Sequence, residues 1–444
     1  MAPQHASPPA APDTPFRVIC AGLSRTGTVS LCTALSTLLA GPVFHGGMQM
    51  LHGGAERQAL MLSLCRQDPS RSDAERAHAK RLLAQLTTGY VAAADMPANM
   101  YVAELLDLYP DATVVTSLPT VIHNSALLPI MAKQQRIFMT GGSGYVGSAV
   151  AQLALSRGHQ VHALSRSDSS DAKLRALGAV PVRGDLRALD VLRRQSAQAD
   201  VVLHLADSLM NDFSQDYANV VATDAAAVDA IAAGLAGSNK PLVVTSGSLV
   251  VAATGAETNE DSPLWENPLN DRIACERHAL AQRAKGIAVF AVRLAPFVYG
   301  RGGSGVRLFM NMFANAGSAM YVDAGDVVTS AVHVDDAAEL YLLAAEKAQP
   351  GEAFNGVSGH VTMRDLAEAV GEVLRLPVRS VAFADAEAQW GKFFAHFLSI
   401  ENWSSGAKAE RELGWAPKGL SIIDEVKTGS YVAVAEELKQ SAAA

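Results

Sequence analysis

Two short apolar runs, each followed by a glycine-rich turn and then a helix-like pattern, constrain this chain more than any other feature. The first begins at Phe16, FRVICAGLSRTGTVSLCTALSTLL, and the second near Arg136, RIFMTGGSGYVGSAVAQLALSRG. A strand, a glycine turn and a helix in that order present backbone N–H groups at a helix start, where a phosphate binds. The two units do not match beyond their first turns, so the chain is no internal repeat. After Gly147 the pattern alternates: HQVHALSR, AVPVRGD, DVVLHLA, PLVVTSGS and IAVFAVRL read as strands, with Ala- and Leu-rich helices between them. The expected architecture is α/β, with a doubly wound parallel sheet. YVAAADMP and ATVVTSLP read as further strands belonging to the first unit, and from about Gly302 helices with short strands read as a smaller appended domain.

A length of 444 residues fits this division. The expected parts are a flexible Pro- and Ala-rich tail over 1–15, a first module over 16–132, a main sheet over 136–301 and a C-terminal substrate-binding part over 302–444. Apolar residues make up 49% and charged residues 18%, which excludes a disordered chain and fits extensive burial. The net charge of −8 argues against a nucleic-acid-binding surface. Cys20, Cys32, Cys65 and Cys275 lie far apart without a CxxC pair, against a disulfide scaffold and a zinc site, and no His/Cys/Asp cluster has metal-ligand spacing. Thr26–Ala55 and Ala112–Ala132 carry no formal charge but are interrupted by prolines or polar residues, so neither reads as a membrane span. With no basic, hydrophobic leader pattern at the N-terminus, the expectation is a cytoplasmic protein with no membrane or nucleic-acid partner.

In the second unit, Gly141, Gly144 and Gly147 form GxxGxxG between a strand and a helix. The first glycine permits a tight turn, the second lets a pyrophosphate approach the backbone, and the third lets the helix pack closely. Downstream come GDL (Gly184, Asp185, Leu186), VVLHLAD, VVTSGS, VRLAPFVYGRGG, AVHVDDAAELYLLAAEK, FNGVSG and ELGWAP, in that order. From Arg136 to about Lys427, this series resembles the extended or atypical short-chain dehydrogenases/reductases of the NAD-dependent epimerase/dehydratase group. The resemblance implies a Rossmann sheet holding a dinucleotide at Gly141, Gly144, Tyr145, Val146 and Gly147. It also implies that Asp185 and Leu186 lie at the adenine, with Leu205 and Ala206 along the adenosine. Arg166, at the end of the second strand in HALSRSD, suits a 2′-phosphate and favours NADP(H) over NAD(H), with Asp168 as a nearby rival favouring NAD.

The family's catalytic group is a Ser or Thr, then a Tyr, then a Lys four residues later. Here NPLNDRIACERHALAQ places Arg272 against the Tyr and Glu276 against the Lys. An arginine is a poor proton relay, since its pKa exceeds about 12. Arg272 and Glu276 are spaced i,i+4, which reads either as a surface ion pair or as a substrate-orienting pair. The serine position falls beside Gly247, so Ser246 or Ser248 could hold a substrate oxygen, and Tyr299 is a further donor. His204 reads as a core histidine, and His333 matches a family position tied to packing of the C-terminal part.

The first unit, with Gly22, Arg25, Thr26, Gly27, Thr28 and Ser30, resembles the phosphosulfate loop of P-loop sulfotransferase-like proteins. Asp95 and Pro97 continue the match, over roughly 16–132. The family's Arg-Asp-Pro is here Ser117-Leu118-Pro119, although Ser125 stands at the spacing of a second phosphate ligand, and the second unit starts where the remaining helices would follow. The segment reads as a truncated, inactive partial P-loop module. The expected function is an NAD(P)(H)-dependent oxidoreductase acting on a small carbonyl, alcohol or sugar-like substrate, with a homodimer as one assembly. A non-catalytic dinucleotide sensor is the first rival, and sulfuryl transfer by the first unit the second.

Overall fold

The computed structural model describes residues 15–20, 32, 35–36, 38–39, 42–45, 55–65, 73–94, 100–115, 134–208 and 216–443. The chain forms two compact units, Met1–Pro129 and Ile130–Ala444.

In the first unit, β1 (Val18–Cys20), β2 (Val43–His45), β3 (Ala92–Ala94) and β4 (Thr113–Val115) form a parallel sheet in the order β2-β3-β1-β4. Ile19 faces a core with Phe44, Leu83 and Tyr90, whereas Val18 and Cys20 face a second one with Val43 and Ala92. Both faces are therefore covered, as a parallel sheet requires. Helices α1 (Ala55–Cys65), α2 (Asp73–Thr87) and α3 (Val102–Leu108) supply much of that cover. The phosphate-loop residues Arg25, Thr26, Gly27, Thr28 and Ser30 lie outside the described residues, as do Asp95, Pro97, Ser117 and Ser125.

The second unit is built on β5 (Arg136–Thr140), β6 (Gln160–Ser165), β7 (Val180–Arg183), β8 (Val201–His204), β9 (Pro241–Gly247), β10 (Ala288–Leu294) and, later in the chain, β14 (Ala353–Gly356). They form one parallel seven-stranded sheet in the order β7-β6-β5-β8-β9-β10-β14. Alternate residues serve opposite faces. Ile137, Met139, Val201 and Leu203 join one core, and Phe138, Val202, Leu242 and Val244 the other. The first core is closed by α4 (Tyr145–Ser156) and α10 (Val334–Lys347). The second is closed by α6 (Leu189–Gln198), α7 (Tyr217–Leu235) and α8 (Arg272–Ala281), while α5 (Asp168–Leu177) links β6 to β7. Among the described residues, α7 is long and apolar enough to cross a membrane, yet Val220, Ala227, Val228 and Ile231 pack in this core.

The expected division at residue 302 needs correction. After β11 (Phe297–Tyr299), the chain forms α9 (Ser304–Ala316), β12 (Ala319–Val322) and β13 (Val328–His333). It then returns through α10 to lay β14 beside β10, because a parallel seventh strand requires a crossover helix. A smaller subdomain contains β11, β13 and β15 (Gly359–Thr362) in one sheet, and β12 with β16 (Val378–Val381) in another. Around these strands pack α9, α11 (Met363–Leu374), α12 (Phe383–Trp390), α13 (Lys392–Phe397), α15 (Ile422–Thr428) and α16 (Tyr431–Ala443). Helix α14 (Ala407–Leu413) and Trp415 return to the main core, where the Trp415 indole donates to the Asp336 carbonyl (2.8 Å).

The glycine turn is packed backbone to backbone. Gly141 has φ +74°, and a Cβ there would lie 2.9 Å from the Ala206 nitrogen. A Cβ on Gly147 would lie 2.1 Å from the Gly141 carbonyl oxygen. Gly147→Ala should therefore force the turn and helix α4 apart, at about 1–3 kcal/mol of stability. Thermal melting checks this, and an unchanged melting temperature would contradict it.

Candidate active site

The sheet order reverses between β6 and β8, on either side of β5, and ligands of such sheets bind at the carboxyl ends of the strands there. Helix α4 begins at this point with Gly144 as its N-cap and no side-chain cap, so its first N–H groups are left for an anion. At the neighbouring strand ends, Thr140 Oγ1 accepts from the Leu205 and Ala206 nitrogens (3.1 and 3.0 Å) and bonds His204 Nδ1 (2.9 Å). Together with the close-packed glycines, these residues fit a dinucleotide. Tyr145 donates its hydroxyl to the Gly300 carbonyl (2.7 Å), and Val146 packs against the main core. Leu186 is buried, while Asp185 is exposed and accepts from the Arg187 nitrogen (2.9 Å).

Arg166 is exposed directly after β6. Its rival Asp168 opens α5 and pairs with Arg183 (2.5 Å). Arg183 also holds Asp171 (2.8 Å), and the Asp168 carboxylate is fully exposed.

A cavity of about 440 Å³ opens at the ends of β8, β9 and β10. Leu205 and Ala206 line it together with Ser246, Arg272 and Glu276, whereas the glycine turn, Arg166 and Asp185 do not. The Ser246 hydroxyl is buried and has no hydrogen-bond partner among the described residues. Arg272, the first residue of α8, is three-quarters buried. Its Nη2 pairs with Asp207, which follows β8, and its Nη1 lies 3.9 Å from Asp224 on α7. Much of the remaining wall is apolar, including Leu249, Val250, Pro268, Leu294, Phe393 and Phe397.

Several expectations are overturned here. Arg272 and Glu276 form no pair. Glu276 turns into the core and takes a two-pronged contact from Arg293 of β10, Nη2 to Oε1 at 2.6 Å and Nε to Oε2 at 3.0 Å. Both side chains are more than nine-tenths buried, so this is an internal ion pair. Ser248 lies past the strand in a short 3₁₀ turn and donates to Asn402 Oδ1 (2.7 Å), away from the cavity lining. Tyr299 points oppositely to its neighbour Val298, which does line the cavity, because successive strand residues alternate. Its hydroxyl donates to the Leu420 carbonyl (2.7 Å). His333 caps α10, accepting from the Asp335 nitrogen (3.2 Å).

Asp207 and Asp224 were missed by sequence reasoning. Burial pushes the Asp224 carboxyl up to about 6, against hydrogen bonds from Ser208 that draw it down. Burial, followed by the Arg272 charge, holds the His204 imidazole down at about 4, so it is neutral across the ordinary range.

Fold and cavity together define a dinucleotide-binding protein of the short-chain dehydrogenase type. The chain belongs to the NAD dependent epimerase/dehydratase family, whose model matches residues 137–355, and a sulfotransferase domain model matches residues 17–118. It is similar to an uncharacterised protein of Saccharomyces cerevisiae, 33% identical over 66% of this chain and 98% of that one. It is also similar to a 4-hydroxy-2-methyl-3-oxo-4-farnesyl-3,4-dihydroquinoline-1-oxide ketoreductase of Stigmatella aurantiaca, 29% identical over 63% of this chain and 92% of that one. A solved structure of a dTDP-glucose 4,6-dehydratase double mutant from Streptomyces venezuelae, with NAD and DAU bound, shares the fold at a TM-score of 0.56. It is 21% identical and covers 69% of this chain and 99% of that chain. The family and its reductase members give the chain an NAD(P)-dependent oxidoreductase or epimerase type of role.

Two predictions follow from the charges. Glu276→Lys would set a cation against Arg293 and should cost about 3–5 kcal/mol, read by denaturant unfolding. The second concerns pH. His204 is lowered from 6.5 to about 4, so the unfolded chain binds more protons between those values and stability rises with pH there. Asp224 is raised from 3.8 to about 6, so the folded chain binds more protons between those values and stability falls with pH there. Each amounts to about 3 kcal/mol, and the two largely offset. Asp224→Asn should leave the His204 slope uncovered, so that the variant loses stability more steeply than the parent from pH 6.5 to 4. Parallel stability profiles would contradict this.

Proposed function

We propose that this protein is an NAD(P)(H)-dependent oxidoreductase that interconverts a carbonyl and an alcohol on a small, largely apolar organic substrate. The observation that carries the reading is the cavity at the strand ends, where an unpartnered serine hydroxyl and a guanidinium share one space with apolar walls. A nicotinamide dinucleotide, when bound, supplies or accepts hydride at C4. The glycine turn and the free end of α4 would hold its pyrophosphate. Ser246 would donate to the substrate oxygen, and Arg272 would stabilise negative charge developing there, an effect worth several kcal/mol where water is excluded. The apolar side chains Leu249, Pro268 and Phe393 favour a hydrocarbon or aromatic body over a hydroxyl-rich sugar.

Arg166 supports a preference for NADP(H), since a charge-assisted contact with the 2′-phosphate contributes about 1.5–3 kcal/mol. A second reading, a dinucleotide sensor without turnover, is favoured by one observation: the Arg272 guanidinium is already engaged by Asp207. No sulfuryl transfer is assigned to the first unit, where Ser117 stands in place of the family's arginine.

The test is a screen of apolar ketones and aldehydes with NADPH and NADH. Turnover should be found, and Arg272→Ala should lower kcat at least 100-fold with little change in cofactor affinity. Arg166→Ala should weaken NADPH about 10- to 100-fold and leave NADH unchanged. Tight cofactor binding without turnover in the parent would favour the sensor. Equal affinities for the two cofactors in the parent would remove the NADP(H) preference.

A further inference from the structure

We propose that Asp224 is the proton-exchanging group of the cavity, giving a proton to the substrate oxygen in reduction and taking it back in oxidation. The inference rests on the oxidoreductase reading above and adds a residue to it.

Asp207, Asp224 and Arg272 meet at one cavity, two carboxyls to one guanidinium. Arg272 gives Asp207 a direct pair and approaches Asp224 only to 3.9 Å. The second carboxyl is left short of a counter-charge in a buried place, and a proton is its simplest neutraliser. Asp224 is 5% exposed and lines the cavity, and its Oδ1 has no hydrogen-bond partner among the described residues. A buried carboxylate oxygen without a donor is costly, whereas a hydroxyl of a bound substrate would satisfy it. Along helix α7 the buried stripe includes Val220, Asp224, Ala227, Val228 and Ile231. An acid in an otherwise apolar stripe breaks the local pattern, and such breaks concentrate at functional sites.

The other groups facing this place do not compete for the role. On α8, Glu276 is taken by Arg293, and burial raises the Cys275 thiol. On α7, burial raises the Tyr217 hydroxyl, with Cys275, Asp224 and Asp271 adding to the rise. Tyr341 of α10 shares a hydrogen bond with Thr245 (2.7 Å) and is raised by burial. His204 on β8 is neutral and bonded to Thr140. Among the described groups here, Asp224 is one that burial brings toward neutrality, up to about 6.

In the reductive direction, the carbonyl carbon gains a hydride from the reduced dinucleotide. The C=O π pair moves to oxygen, and that oxygen takes the proton as the Asp224 O–H bond breaks. The aspartate left behind faces Arg272, and the dinucleotide is left oxidised. Oxidation of an alcohol runs through the same atoms in reverse.

The test combines carboxyl-labelled NMR with kinetics. In the protein labelled with ¹³C at its aspartate carboxyls, and without any ligand, one resonance should titrate near neutral pH and be absent from Asp224→Asn. Asp207→Asn frees Arg272 to pair with Asp224 and should lower that midpoint by about one unit or more, and the pH above which the variant's reductive kcat/KM falls should move down with it, which a carboxyl outside the chemistry would not produce. With a substrate from the ketone screen, Asp224→Asn should lower kcat about 100-fold or more while the dinucleotide Kd is unchanged. The parent's reductive kcat/KM should fall above the NMR midpoint. A carboxyl that titrates only in the ordinary acid range, or an Asp224→Asn protein that keeps the parent's kcat, would overturn the proposal. A parent protein with the predicted titration but no turnover on any carbonyl would instead overturn the oxidoreductase reading.

Discussion

The buried pair between Glu276 and Arg293 is the contact on which the geometry of the cavity depends. It joins helix α8 to strand β10, two elements that otherwise meet through interchangeable apolar side chains. A buried ion pair is no better for stability than well-packed hydrocarbon, but it specifies position. Helix α8 cannot rotate or slide along the sheet without stranding two charges, so Arg272, one turn earlier, is held over the strand ends. The bracing extends further. Arg293 Nη1 donates to the Glu260 carbonyl (3.2 Å), and the Glu260 carboxylate accepts from the Asn355 nitrogen on β14 (2.7 Å). A helix, two strands and the connection that precedes α8 are thereby tied at one place.

The cavity beside this rigid pair is built differently. Its polar atoms are incompletely matched: among the described residues the Ser246 hydroxyl and Asp224 Oδ1 lack partners, and one guanidinium stands between two carboxyls. Native interiors satisfy nearly all buried polar groups, so two orphans bordering one cavity indicate a place left unfinished for a ligand. The surrounding structure sustains the cost because its own charges, at Glu276, Arg293 and Glu260, are fully engaged.

Much of the fold was legible because its signals are local. Each strand of the main sheet except β14 is an apolar run with turn residues beside it, and the glycine turn announces itself by spacing. The site was harder to read where partners are distant in sequence. The i,i+4 spacing suggested that Arg272 meets Glu276, yet Arg272 reaches back 65 residues to Asp207 and Glu276 reaches forward 17 to Arg293. No local rule ranks those choices, since they depend on which side of α8 faces the sheet. Ser246 and Ser248 could not be separated because the strand ends at Gly247 and the chain then turns. Asp224 did leave a trace, an acid at a helical spacing otherwise held by Val and Ala. Asp207 left only its place after VVLHLA.

One chain of hydrogen bonds has a bearing on how the protein is made. Tyr145, in the first turn of α4, donates to the Gly300 carbonyl; the Gly300 nitrogen donates to the Tyr431 hydroxyl (3.0 Å), which in turn donates to the Gly303 carbonyl (2.7 Å). The nucleotide turn is thus laid down at residue 141 but braced by a residue made almost 300 positions later. During synthesis the sheet can assemble strand by strand, since β5 through β10 follow one another closely. The brace arrives only with α16. A ribosome-bound chain that already holds six of its seven main strands would still present an unsupported phosphate turn, and capture of the dinucleotide would be deferred until translation has passed residue 431.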